Sequence, residues 1–126
     1  MIQDIFCKII NKELPAEIVY EDEEFLVIKD INPQAPVHLL VVPKKHFDQI
    51  YPALVDKGGV HAASHEDLDL LGNMILVAGK AAKLSGLENN GYRLIINQGE
   101  DGGQLVPHLH LHVLGGKKLG SKIVKE

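Results

Sequence analysis

The chain has 126 residues, 45% of them apolar and 24% charged, which is typical of one folded domain and excludes disordered, collagen-like and disulfide-stapled classes. Four lysines and one glutamate in residues 117–126 contribute +3 to the net charge of −4, which leaves −7 on the rest. Such an acidic body is unsuited to long nucleic acid, so an anionic ligand should be small. No apolar stretch approaches the roughly 18 residues of a membrane span. The lone Cys7 suits a reducing compartment, and we expect a cytoplasmic protein.

The first half of the chain predicts a short helix followed by three strands. Residues 4–11 place four apolar side chains on one helical face, with Asp4 as the N-cap. Residues 17–21 and 25–30 predict the two strands of a hairpin. After a loop with two prolines, residues 37–43 predict a third strand that ends at a proline.

The second half predicts one long helix between irregular segments and strands. Residues 51–65 contain a proline and two glycines and predict a loop. A capping box begins the helix at Ser64, and Gly86 fits the position that ends it. Strands follow over 92–97 and 108–114. These elements favour an α+β fold with a mainly antiparallel sheet.

Three of the seven histidines lie in a five-residue stretch of the last predicted strand. His108, His110 and His112 alternate with apolar residues, so a strand would place the three rings on one face and the apolar side chains in the core. Consecutive rings would lie roughly 6.6 Å apart. One zinc ion could be shared by two neighbours but hardly by three, and a two-histidine site completed by His38 or His46 stays open.

Three histidines on one strand face favour a catalytic role over a merely solvated surface. A neutral imidazole with one nitrogen held as N–H presents the other nitrogen as a nucleophile, and flanking rings can steer it and protonate a leaving group. Asn97 and the glycine-rich residues 99–103 lie just upstream. Their amides are suitable donors for an anion that approaches the backbone closely.

The alternating His108, His110 and His112 resemble the sequence signature of the histidine triad (HIT) superfamily. The similarity to its Hint branch, the histidine triad nucleotide-binding proteins, also includes residues 30–38, 43–46, 91–93 and 102–104. The resemblance implies a HIT-like α+β fold, with an antiparallel five-stranded sheet, one long and one short helix, and a sheet that extends across a homodimer. It assigns residues 1–116 to a HIT domain and 117–126 to a basic C-terminal tail.

The resemblance also implies an activity, the hydrolysis of purine nucleoside phosphoramidates of the adenosine 5′-monophosphoramidate type. His110 would attack the α-phosphorus and form a nucleotidyl-histidine intermediate, which water then hydrolyses. His112 would contact the phosphate and assist the leaving group. His38 and His108 would complete the polar network. The implied ligands are purine nucleotides such as AMP, GMP or adenosine phosphoramidates, with no nucleic acid or membrane partner.

The implied nucleotide site contains eight further residues. Asp30 would hold the ribose hydroxyls, and Asn97 with the Gly103 backbone would hold phosphate oxygens. The base pocket and the binding loop would be completed by Phe6, Ile9, Ile28, Ile31 and Gln104. One departure from the family pattern is Leu105, which stands where many members have a serine or threonine whose hydroxyl reaches the phosphate or leaving group.

No cofactor or metal is expected. Some superfamily members bind structural zinc at positions that correspond to Asp4, Cys7, His46 and His108, and the aspartate that replaces one cysteine is chemically able to bind zinc. The branch without zinc also retains the histidine, which is why we expect none here. His61 and His65 are interpreted as loop or surface residues.

Three alternative functions stay open on the sequence. The chain could hydrolyse dinucleoside polyphosphates, serve as a nucleotide-binding scaffold dimer with incidental catalysis, or act as a metal hydrolase. The basic tail could bring positive charge near the anionic ligand, or be a solvated end.

Overall fold

The computed structural model describes residues 4–46, 50 and 64–121. The described elements are two helices and five strands: α1 (Ile5–Ile10), β1 (Ile18–Glu21), β2 (Phe25–Lys29), β3 (Val37–Pro43), α2 (His65–Leu84), β4 (Tyr92–Ile95) and β5 (Leu111–Gly115). This confirms the predicted α+β fold with one short and one long helix. Within the described ranges, neither helix is long and apolar enough to cross a membrane.

Both helices begin at the caps that the sequence predicts. The Asp4 carboxylate accepts the Cys7 N–H at 2.8 Å, and the Ser64 hydroxyl accepts the Asp67 N–H at 3.0 Å, each satisfying a donor that the first helical turn leaves open. His65 is the first residue of α2 and is exposed, so its assignment to a loop was wrong and its assignment to the surface is confirmed. The rest of that predicted loop, including His61, lies outside the described residues.

The five strands form one antiparallel sheet in the order β1-β2-β3-β5-β4. The strand predicted over 108–114 begins later, at Leu111, which pairs with Val41. The ladder stops there because the facing strand ends at Pro43, which has no N–H to donate and whose carbonyl lies 2.8 Å from His108 Nε2. Likewise β4 ends at Ile95 rather than at residue 97.

The two faces of the sheet bury different clusters. Helix α2 packs on one face, where the core includes Leu109, Leu111 and Val113. The opposite face carries a smaller apolar cluster that joins α1 to the middle strands; its buried members are Phe6, Ile9, Leu26, Ile28, Leu40 and Val42. The predicted alternation is therefore confirmed, since the apolar residues between the histidines belong to the α2 core and the histidine rings lie on the α1 side.

Candidate active site

The three clustered histidines lie in a row on the α1 side of the sheet. The ring centroids of His110 and His112 are 5.0 Å apart, whereas the Phe6 ring contacts both His108 and His110 edge-on at 5.7 and 4.9 Å. Edge-to-face contact fixes the relative orientation of aromatic rings. Helix α1 therefore positions two rings of the row, those of His108 and His110, through one side chain.

His110 is held in the tautomer that nucleophilic attack requires. Its Nδ1–H donates to the carbonyl of His108 at 2.7 Å, so the neutral ring carries its lone pair on Nε2. The ring is 5% exposed. Burial and the neighbouring His108 lower the pKa of His110, although the hydrogen bond to the His108 carbonyl acts against this. At neutral pH the ring is uncharged and its Nε2 is available to an electrophile.

A chain of hydrogen bonds determines the tautomer of His112. The backbone N–H of Gln34 donates to His38 Nδ1 at 3.0 Å, so neutral His38 carries its proton on Nε2. That proton lies between His38 Nε2 and His112 Nδ1, which are 2.9 Å apart. The proton of His112 is therefore on Nε2, which lies 3.5 Å from Nδ2 of Asn97. Two N–H donors converge there, and an anionic oxygen would accept from both.

His112 is also kept uncharged. Burial, followed by the nearby His110 and His38, lowers the pKa of His112 to about 4, while the Asp30 carboxylate acts in the opposite direction. Asp30 Oδ2 lies 3.4 Å from His38 Nε2, and Asp30 Oδ1 accepts the Asn32 N–H at 2.8 Å. His110 and His112 can thus accept a proton during a reaction without carrying one at neutral pH.

A cleft of about 340 Å³ opens above His110 and His112. Its polar part contains these two rings with Asp30, Asn97 and Gly103, and its remaining wall is largely apolar. Nine of the twelve catalytic and nucleotide-binding residues expected from the sequence line it: Phe6, Ile9, Ile28, Asp30, Ile31, Asn97, Gly103, His110 and His112. An apolar cleft with a few convergent polar groups is typical of a small-molecule site.

The other three expected residues lie behind the cleft wall. His38 supports His112 and His108 supports His110, as described above. Gln104 stabilises the loop instead of lining the cleft: its side-chain oxygen accepts the Gly99 N–H at 2.8 Å, and its Nε2 donates to the Val106 carbonyl at 3.0 Å. Both contacts stabilise the loop that carries Gly103, and the expected contact of Gln104 with nucleotide stays a prediction.

A model of the HIT domain matches residues 11–119 of this sequence. The chain belongs to the HIT domain family. Protein HitA of Neisseria gonorrhoeae is 50% identical to this HIT domain over 111 residues, which are 88% of the chain and 94% of that relative. The family match therefore covers the histidine row together with Asp30, Asn97 and Gly103 of the cleft.

Solved structures share the fold over nearly the full length of this HIT domain. A HIT family hydrolase from Clostridium thermocellum has 43% identity and a TM-score of 0.83, with coverage of 98% of this chain and 99% of that one. A histidine triad nucleotide-binding protein from Candida albicans has 30% identity and a TM-score of 0.76, with coverage of 98% and 85%. The five-stranded sheet and its two helices are thus shared across these relatives.

A second cluster in this HIT domain fits a tetrahedral zinc ion. Asp4 Oδ2, Cys7 Sγ, His46 Nδ1 and His108 Nδ1 converge. The two nitrogens are 3.2 Å apart, each is 3.1 Å from the carboxylate oxygen, and the sulfur lies 3.4 and 3.7 Å from them. A tetrahedral ion with bonds of 2.0–2.3 Å separates its ligand atoms by about 3.3–3.6 Å.

The hydrogen bonding of His108 supports the same fit. His108 Nε2 donates to the Pro43 carbonyl at 2.8 Å, so in a neutral ring the lone pair on Nδ1 faces the Asp4 carboxylate. Two acceptors at 3.1 Å repel each other unless a proton or a metal ion lies between them. A metal-binding histidine usually donates a hydrogen bond from its other ring nitrogen to a carbonyl or carboxylate oxygen. This geometry favours zinc where the sequence led us to expect none, and an ion held here would link α1 to the histidine row and stabilise that wall of the cleft.

Several residues of the site could not be identified from the sequence. Leu40, Leu14 and Val106 also line the cleft, but as apolar residues of strands and loops they carry no motif. The Gln34 N–H that determines the tautomer of His38 is a backbone group, and only the proline-rich loop around it hinted at a fixed conformation. Leu105, which departs from the family pattern, also lines the cleft.

Proposed function

We propose that this HIT domain hydrolyses purine nucleoside phosphoramidates of the adenosine 5′-monophosphoramidate type, as a member of the Hint branch. The observation that carries the proposal is the fixed tautomer of His110, whose Nδ1–H donates to the His108 carbonyl at 2.7 Å, so that the lone pair lies on Nε2 of a ring that lines the cleft. A neutral imidazole held in this way is a nucleophile suited to phosphorus. The hydrolase from C. thermocellum supports the general reaction type.

The reaction proceeds in two displacements at the α-phosphorus. In the first, His110 Nε2 forms a bond to phosphorus, the bond from phosphorus to the amine breaks, and the amine takes the Nε2 proton of His112, which a proton from solvent replaces. In the second, water attacks phosphorus, the bond to His110 breaks, and the proton that water loses returns to solvent through His112. The net change converts phosphoramidate and water into nucleotide and amine, and both histidines return to their neutral state.

The cleft divides into parts that suit a nucleotide. Phe6, Ile9 and Ile28 provide an apolar wall for the base, and the Asp30 carboxylate can accept hydrogen bonds from the two ribose hydroxyls. Asn97 and the Gly103 amide lie on the phosphate side. The relative from C. albicans, a histidine triad nucleotide-binding protein, supports a nucleotide ligand. Because the chain is acidic overall, binding depends on these local donors rather than on net charge.

Exposed apolar side chains support a homodimer. Ile75 and Leu76 lie exposed on α2, and Tyr92 and Leu94 lie exposed on β4, which is an edge strand of the sheet. An edge strand leaves backbone donors and acceptors unpaired, and a second copy pairing antiparallel with it would satisfy them and cover these side chains.

The half-buried single cysteine and the nucleotide substrate suit the cytoplasm.

The test is turnover of adenosine 5′-phosphoramidate by the full chain and by the His110→Ala variant. We expect the substitution to lower kcat by about 10⁴-fold and to leave AMP binding within a few-fold. His65→Ala removes an exposed histidine far from the cleft and should match the unmodified chain. Retained turnover in His110→Ala would exclude the proposal. Faster turnover of diadenosine polyphosphates would favour the polyphosphate hydrolase, and AMP binding without turnover of either would favour a scaffold.

A further inference from the structure

The mouth of the cleft is apolar although it faces water. Leu105 is 92% exposed and Ile31 is 86% exposed, and the partly exposed Ile5 and Leu14 line the same cleft. Single exposed apolar side chains are common on protein surfaces, but several around one opening indicate a contact surface for a ligand. Ile31 lies next to Asp30 and belongs to the nucleoside end, whereas Leu105 has no role in the nucleotide contacts proposed above.

Leu105 is exposed on a firmly held backbone. On one side of it, Gln104 is bound through its side chain to the Gly99 N–H and the Val106 carbonyl. On the other side, Val106 packs against the apolar cluster under α1. Because both neighbours are fixed, the Leu105 side chain is presented at the opening by the fold rather than by a loose segment.

The geometry of phosphoryl transfer determines what meets this side chain. His110 is buried at the floor of the cleft, and a group displaced in line leaves on the side of the phosphorus opposite the nucleophile. The departing amine therefore points toward the mouth. Leu105 is two residues beyond Gly103 on the phosphate side, which places it beside that path.

We infer that Leu105 forms the wall of a leaving-group subsite, and that this HIT domain prefers phosphoramidates whose amine carries an apolar substituent. The inference rests on the proposed function and names its substrate class. A hydrocarbon chain on the amine would cover the leucine and remove apolar surface of both from water. Each fully buried methylene is worth roughly fourfold in binding, and a surface wall covers only part of such a chain, so we expect a total preference of about tenfold.

The experiment compares two adenosine 5′-phosphoramidates, one with ethylamine and one with n-hexylamine as the leaving group. These amines have nearly equal basicity, so the intrinsic ease of breaking the phosphorus–nitrogen bond is the same. We measure kcat/KM for both substrates with the full chain, with Leu105→Ser and with Ile18→Ser. Ile18 is also an exposed apolar residue but lies on the edge strand β1 outside the cleft, which makes it a matched control.

We expect the full chain and Ile18→Ser to favour the hexyl substrate by about tenfold, and Leu105→Ser to reduce the ratio to twofold or less. Equal kcat/KM for the two substrates in the full chain, or an unchanged ratio in Leu105→Ser, would overturn the inference while leaving the proposed function intact. Failure to hydrolyse either substrate would overturn the proposed function itself, and the inference with it. Because each ratio compares two substrates on the same protein sample, partial misfolding of Leu105→Ser lowers both kcat/KM values equally and leaves the ratio unchanged.

Discussion

Replacing His38 by alanine tests whether a buried ring outside the cleft controls the chemistry inside it. His38 is 6% exposed and joins the Gln34 N–H at 3.0 Å to His112 Nδ1 at 2.9 Å. The substitution leaves the Gln34 donor without its acceptor and frees His112 to carry its proton on either nitrogen. His112 then presents an N–H to the leaving group for only part of the time.

The expected magnitudes follow from these two contacts. Each lost hydrogen bond costs about 1 kcal/mol and the void left by the ring adds to this, so we expect the free energy of unfolding to fall by about 2–4 kcal/mol. A proton donor in the wrong tautomer loses its general acid contribution, which is about 10²-fold or more in rate. We therefore expect kcat/KM for adenosine 5′-phosphoramidate to fall by about 10²-fold.

A pH profile separates this role from a loss of stability. Burial and the nearby His110 and His38 lower the pKa of His112, so removing His38 and admitting water raises the pKa of His112 and moves the acid limb of kcat/KM to higher pH. His38→Gln supplies a matched variant, because an amide can accept from Gln34 through its oxygen and donate to His112 through its nitrogen. We expect it to recover most of the lost activity.

The assay measures kcat/KM between pH 4 and 9 alongside urea unfolding of each variant. If His38→Ala is folded and keeps kcat/KM within twofold of the unmodified chain with the same acid limb, the argument from tautomers is refuted. If His38→Gln is no better than His38→Ala, the ring acts through its shape and not through its hydrogen bonds.

Three further predictions follow from the same geometry. Because burial lowers the pKa of His110 and of His112 and the neutral rings are the reactive forms, kcat/KM should stay level as pH falls to 6.5 and decline only below it; a decline that begins above pH 7 would contradict this. The purified chain should retain about one zinc per protomer by elemental analysis, and Cys7→Ser should lose most of it and unfold at lower urea; zinc content equal in both would contradict the cluster. Leu94→Lys on the exposed edge strand should convert a dimer into monomers by light scattering, whereas Lys83→Ala on the exposed end of α2 should not; a monomeric unmodified chain would contradict the proposed interface.

The fold was largely predictable because its signals are local. Asp4 and Ser64 identified the two helix starts through side chains that accept from their own first turns. The alternation around His108 to His112 identified which side chains face the core, since residues of an extended chain alternate between faces. The end of the ladder at Leu111 was not predictable, because it depends on where the facing strand, which lies about 70 residues earlier in the sequence, meets a proline.

The sequence by itself determined that the three histidines share one face, and it led us to expect a small anion as the ligand. Only the tertiary structure decided which groups each ring contacts. His108 turns toward Asp4, Cys7 and His46, while His112 turns toward His38. The physical reason is that the tautomer of a histidine is fixed by the hydrogen-bond partner of its other ring nitrogen. Here those partners include two backbone carbonyls and one backbone N–H. Every residue carries such backbone groups, and the other partners come from distant segments, so the sequence does not identify them.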